Sequence, residues 1–146
     1  MVDAMASGAA LEASTNIRVL HATAAQPSDL EQAAAYIFAT PENLAAISGL
    51  MKDFFDRCYY PVLGRIEGRP YALMVCAGSD GTNAARQMQR IATGWRLREI
   101  APPLIVCTAA QTPDAILAPK TIGTGDLARC AELGERFAAG LALGIF

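Results

Sequence analysis

The sequence predicts an α/β protein built on a parallel sheet with helices on both faces. Three observations predict it. The runs Ala34–Thr40, Tyr71–Ala77 and Leu104–Thr108 are almost continuously apolar, as strands buried on both faces are. Stretches with apolar residues at helical spacing separate most of these runs. Two of the runs end in polar, turn-forming loops, Thr40-Pro41-Glu42-Asn43 and Gly78-Ser79-Asp80-Gly81-Thr82, and a helical pattern follows each.

The elements follow in order. Val2–Ala13 reads as a helix with Val2, Met5, Ala6, Ala9 and Ala10 on one face. Ile17–Ala22 reads as a strand. Ser28-Asp29-Leu30-Glu31 has the form of a capping box and opens a short helix. Ala34–Thr40 is the next strand; Thr40 suits a helix N-cap and Pro41 the first helical position. Leu44, Ile47, Leu50, Met51, Phe54, Phe55 and Cys58 repeat at helical spacing behind it. Tyr59–Pro70, with Gly64 and Gly68, is a connection to the strand Tyr71–Ala77. The helix Asn83–Arg98 is expected to bury Ala84, Met88, Ile91, Ala92 and Trp95. Pro102-Pro103 announces the strand Leu104–Thr108, and Ala109–Gly125 is a long, proline-punctuated loop. Leu127, Ala131, Gly134, Phe137, Ala138 and Leu141 line a last helix.

Bulk properties narrow the function. At 146 residues the chain fits one domain, 1–146, able to bury a real core. A net charge of −2 argues against nucleic acid as partner, which needs a clustered positive field. It also argues against a strongly acidic electron carrier. Cys58, Cys76, Cys107 and Cys130 show no CxxC spacing, and Cys76 and Cys107 fall in strands as small buried hydrophobes. That usage suits a reducing, cytoplasmic setting. No apolar run is long enough for a membrane span, and the N-terminus lacks the pattern of a secretory signal.

The two loops and their strand–helix context carry a resemblance. Pro41-Glu42, then Lys52 and Asp56 four apart, then Gly78–Thr82, resemble the flavodoxin-like superfamily, specifically the NAD(P)H-dependent FMN reductases and related flavodoxin-family oxidoreductases. The likeness runs through nearly the whole chain. It implies a doubly wound, three-layer α/β/α fold. It implies FMN contacts at Thr40, Pro41, Glu42, Asn43, Leu44, Ala45, Gly78, Ser79, Asp80 and Gly81, largely through main-chain groups. It also implies NAD(P)H as the substrate that stacks on FMN and passes hydride to its N5. A quinone, free flavin or other small electron acceptor would then take the electrons. The cofactor would carry the chemistry, so no catalytic side chain is required.

Two departures stand out. Many relatives have an aromatic just after Pro-Glu, where this chain has Asn43. The family's first strand and its Ser/Thr-rich phosphate loop are not found, since Met1 lies where the helix behind them is already under way. The chain is therefore expected to be N-terminally truncated, with the first central strand missing. Loss of several charge-assisted hydrogen bonds, about 1.5–3 kcal/mol each, would weaken FMN binding by orders of magnitude. Two alternatives accompany the enzyme: a non-catalytic flavodoxin-like remnant acting as a binding or structural module, and a flavodoxin electron carrier.

Other residues have plainer readings. Lys52 and Asp56 pair on a solvated helix face. Arg86 and Arg90, with Arg96 and Arg98 nearby, suit a solvated face better than an NADPH phosphate site. His21, the only histidine, ends a strand without a nucleophile beside it. Gly123-Thr124-Gly125-Asp126 is explained by a helix cap. Phe54, Phe55, Tyr59 and Tyr60 serve equally as core or as a homodimer interface.

Overall fold

A computed structural model describes all residues, 1–146. They divide into two compact units, Met1–Val19 with Pro119–Phe146, and Leu20–Ala118. The larger unit holds the sheet. Its elements are α2 (Pro27–Gln32), β1 (Tyr36–Asn43), β2 (Ala46–Ile47), α3 (Gly49–Val62), β3 (Pro70–Ala77), α4 (Thr82–Gly94), β4 (Arg98–Glu99), β5 (Leu104–Cys107) and α5 (Pro113–Leu117). The smaller unit pairs α1 (Val2–Ala9) with α6 (Thr124–Ala142).

β3 is the spine of the sheet, and Tyr71, Ala72, Leu73, Met74 and Val75 on it are all buried. β1 runs parallel to it, from Tyr36 opposite Tyr71 to Pro41 opposite Cys76. β5 pairs in parallel along the other side, from Met74 opposite Leu104 to Ala77 opposite Cys107. The short β4 precedes it, opposite Pro70 and Tyr71. No strand pairs with the other edge of β1 between Tyr36 and Thr40.

The core is aromatic. Phe38 on β1 meets Phe55 at 5.3 Å between ring centroids, Tyr36 at 5.5 Å and Trp95 at 6.4 Å. Edge-on and offset packing of this kind adds to the area that the rings bury. Phe54 and Phe55 are thus core residues, whereas Tyr60 is exposed. Arg69 closes the end of α2: its guanidinium donates to the carbonyls of Leu30, Glu31 and Ala33 and to the Tyr36 hydroxyl. These are carbonyls that a helix terminus leaves without intrahelical partners.

Several expectations are corrected. Ile17–Ala22 forms no strand. The Ala22 carbonyl accepts from Arg57 instead, and a turn begins at His21, whose carbonyl accepts from Ala24 and Ala25. α1 stops at Ala9, short of Ala13. The α2 cap lies at Gln26, whose N–H donates to Asp29, because Pro27 takes the first helical position and places Ser28 inside the helix. Thr40 and Pro41 are strand residues, and Leu44 precedes rather than enters the helix. α3 starts at Gly49, where Ser48 accepts from the Met51 N–H at 3.2 Å, and it persists to Val62 through the predicted connection. α4 ends at Gly94, and its Trp95 C-cap leads into β4. The loop expected over Ala109–Gly125 contains α5, capped by Thr112, and gives way to α6 at Thr124. Cys107 is exposed and Cys76 half-buried at the strand ends, while Cys58 and Cys130 are buried. Lys52 and Asp56 do pair on an exposed face, at 2.6 Å.

In the smaller unit α1 and α6 pack backbone to backbone. A Cβ on Gly8 would overlap the Ala131 carbonyl, and one on Gly134 would overlap the Met5 carbonyl. Gly134→Ala is expected to cost at least about 2 kcal/mol, because backbone on a packed helix has to move. Gly125→Ala, with open space around it, should be neutral or slightly stabilising. Thermal denaturation of the two variants checks the contrast.

Burial pushes the Tyr71 hydroxyl up to about 12, with the Glu99 carboxylate adding to the effect. Burial also raises Tyr36, against the opposing influence of Arg69. The folded state holds these phenols neutral, whereas unfolded tyrosines ionise near pH 10. The Tyr71 contribution is therefore intact below about pH 10 and is lost as pH rises toward 12, and that of Tyr36 is lost in the same direction. Denaturant titrations across that window are expected to show falling stability, with a shallower fall in Tyr71→Phe.

Candidate functional site

The carboxyl ends of β1, β3 and β5 lie together, because the three strands are parallel and in register. In open α/β sheets ligands bind outside this edge. The two loops singled out in the sequence are neighbours there. Pro41 stands opposite Cys76, and the N–H of Gly81 donates to Glu42 Oε1 at 3.1 Å.

The first loop is a β-hairpin, not a direct entry into a helix. β1 continues through Glu42 and Asn43, turns at Leu44 and Ala45, and returns as β2 with Glu42 opposite Ile47 and Asn43 opposite Ala46. Leu44 and Ala45 take left-handed backbone angles, φ 51° and 59°, which the tight hairpin turn demands. For side chains with a Cβ this costs about 1–2 kcal/mol per residue. Leu44 is fully exposed at the tip, so burial of its own side chain repays nothing.

Side chains of α4 hold the hairpin down. Asn83 Nδ2 donates to the Ala45 carbonyl at 2.5 Å, and the Ile47 N–H donates to Gln87 Oε1 at 3.0 Å. With the Glu42–Gly81 bond they join β1, the hairpin and the start of α4 into one block. Three such bonds, at about 0.5–1.5 kcal/mol each, offset the strain of the turn. Thr40, the one buried polar residue of the core, works beneath it. Its Oγ1 accepts from the Ser48 N–H at 3.2 Å and donates to the Pro41 carbonyl at 3.0 Å.

The second loop, Gly78–Gly81, leads straight into α4. Gly81 has φ 78° and could not carry a Cβ, which would lie 2.7 Å from Ile105. A third tip, Thr108–Ala110, completes the edge. The Thr108 N–H donates to the Ala77 carbonyl at 2.9 Å, and Ala109 is again left-handed, φ 55°. A Cβ on Gly78 would stand 3.1 Å from the Ala110 carbonyl, so glycine lets these two main chains approach. Strained backbone of this kind concentrates at functional sites.

Of the residues named from the sequence, Pro41, Asn43, Leu44, Ala45, Ser79 and Asp80 are exposed on this edge. Glu42 and Gly78 are half-buried, and Thr40 and Gly81 are buried. The Thr40 side chain thus supports the edge instead of facing a ligand. The sequence reading missed Asn83 and Gln87 as props, Ser48 as cap, and the Thr108–Ala110 tip. Serine just before the apolar repeat of α3 was a legible cap signal. Thr108-Ala109-Ala110 offers none.

Ala45→Gly is expected to stabilise the fold by about 1 kcal/mol, since glycine removes the penalty of a left-handed turn residue. Asn83→Ala should destabilise by about 1 kcal/mol and speed amide exchange at Ala46 and Ile47. Chemical denaturation and hydrogen exchange measure both.

No helix is long and apolar enough to cross a membrane. No curated protein matches the sequence. Solved structures do resemble it. A flavodoxin from the domain Archaea superposes with a TM-score of 0.74 at 15% identity, over 96% of this chain and 87% of that one. A flavodoxin-type, WrbA-like protein from Agrobacterium tumefaciens gives 0.72 at 16% identity, over 97% and 87%. General stress protein 14 from Treponema denticola, solved in complex with FMN, gives 0.58 at 14% identity, over 96% and 90%. These likenesses establish the flavodoxin-like fold. A family model described as NADPH-dependent FMN reductase matches residues 18–111, a span that contains all three strand tips. With well over half of its length matched, this chain belongs to the NADPH-dependent FMN reductase family, a family of flavin-dependent oxidoreductases.

Proposed function

We propose that the carboxyl edge holds the ring of FMN and that the protein passes electrons from NAD(P)H to a small acceptor such as a quinone or a free flavin. The observation that carries this reading is the juxtaposition of the two strand tips within the family-matched span: Pro41 in register with Cys76, and Glu42 bonded to Gly81. The exposed residues Asn43, Leu44, Ala45, Ser79, Asp80 and Ala109 offer main-chain groups to the polar rim of a flat heterocycle.

The three tips offer main-chain groups to the ring but no cationic side chain to its phosphate. Residues 40–47, 78–82 and 108–112 contain no lysine or arginine. The Gly81 amide at the start of α4, a natural anion site, is already taken by Glu42. On this reading the tips hold the ring rather than the phosphate.

When bound, FMN supplies the hydride and electron chemistry. The chain's own part is to fix the ring's position. The clamp of Asn83, Gln87 and Glu42 keeps the hairpin still, and the strained turn is prepaid in the folded state. Leu44, exposed at the hairpin tip, would offer an apolar side chain to the ring. No proton donor is asked of the protein.

A second reading follows from one observation. The free edge of β1 and the lack of lysine or arginine on the three strand tips also suit a non-catalytic binding module. Titration of FMN, followed by quenching of its fluorescence, separates the two readings. The oxidoreductase reading expects saturable binding in the micromolar range or weaker, then NAD(P)H oxidation when a quinone is added. No saturation at millimolar protein leaves the binding module.

A further inference from the structure

We propose that α5 is the outer wall of the ring site, its Ile116 and Leu117 side chains closing on the flavin across from Leu44. This rests on the reading that the carboxyl edge holds FMN, and it adds a segment beyond residues 18–111, the family-matched span. The two most exposed large apolar side chains of the protein are Leu44 and Leu117, at 102% and 84%. Ile116 is exposed as well. Leu44 and α5 belong to the same sheet edge: Leu44 to the hairpin that ends β1, α5 to the chain that leaves the tip of β5. A single exposed leucine is ordinary on a protein surface. Several gathered at one edge, around a proposed ligand, mark a contact surface.

The tether sets the reach of α5. β1 and β5 flank β3, so their tips stand about 10 Å apart. Ala110 is buried, and its carbonyl lies against Gly78, where a Cβ would stand 3.1 Å away. From this fixed point Gln111 and Thr112 lead into the helix. Two extended steps and one helical turn keep the Ile116 Cα within about 13 Å of Ala110. α5 takes its shape from its own cap: Thr112 Oγ1 accepts from the Ala115 N–H at 3.3 Å, and Pro113 sits in the first turn. None of its five residues is buried. The helix can therefore tilt toward the edge without opening the core, and a flavin ring gives both side chains an apolar face to cover.

The test follows FMN and α5 separately, in chain 1–146 and its I116S/L117S variant. Fluorescence quenching gives the FMN affinity. Hydrogen exchange reports on the Ile116 and Ala118 amides, which donate to the Thr112 and Asp114 carbonyls. In the wild type, saturating FMN is expected to slow exchange of these two amides about five-fold or more. I116S/L117S should bind FMN about ten-fold or more weakly and leave the bound flavin more open to iodide quenching. It should melt at the wild-type temperature, since neither side chain is buried. Equal FMN affinity in the two proteins, or α5 exchange that FMN does not change, overturns the wall and leaves the oxidoreductase reading standing. Absence of FMN binding by the wild type removes both. A dimer in sedimentation that dissociates in I116S/L117S while FMN affinity stays the same assigns the two side chains to a second copy, which also overturns the wall.

Discussion

The parallel ladder between β1 and β3 fixes the rest of the larger unit. β1 alternates buried and half-buried residues from Tyr36 to Thr40, so a one-residue slip against β3 would turn Phe38 and Thr40 away from the core. From Tyr36 opposite Tyr71 the register runs to Pro41 opposite Cys76. At one end it stacks Phe38 among Tyr36, Phe55 and Trp95. At the other it delivers the hairpin and the Gly78–Gly81 loop side by side. One set of backbone hydrogen bonds thus sets both the core and the site.

The edge itself is a balance of strain and support. Leu44, Ala45 and Ala109 hold left-handed backbone without glycine, and Gly81 holds it with glycine where a side chain has no room. The hairpin persists because α4 reaches across to it through Asn83 and Gln87 while β1 reaches back through Glu42. A rim fixed in this way suits a flat ligand, since little ordering remains to be done when one arrives.

Much of this was legible in the residues. The apolar runs around Phe38, Leu73 and Val106 gave β1, β3 and β5 because burial on both faces leaves an unmistakable composition. Their loops pointed to the right edge of the sheet. The hairpin was not legible, because Leu44-Ala45 lacks the Asn-Gly signature of its turn and Leu44 and Ile47 happen to continue the periodicity of α3. Ile17–Ala22 has a strand's composition, but a strand exists only beside a neighbour, and Arg57 has claimed the Ala22 carbonyl. Asn83 and Gln87 were invisible as props because their partners lie 38 and 40 residues away.

The central claim is that one rim, built from three strand tips, is where FMN meets the protein. Amide chemical shifts of isotope-labelled protein during FMN addition test it most directly. The account predicts perturbations concentrated at Asn43–Ala45, Gly78–Gly81 and Ala109–Ala110, where ring currents from the flavin would fall. Shifts confined to other regions, or no shifts at saturating FMN, would contradict it.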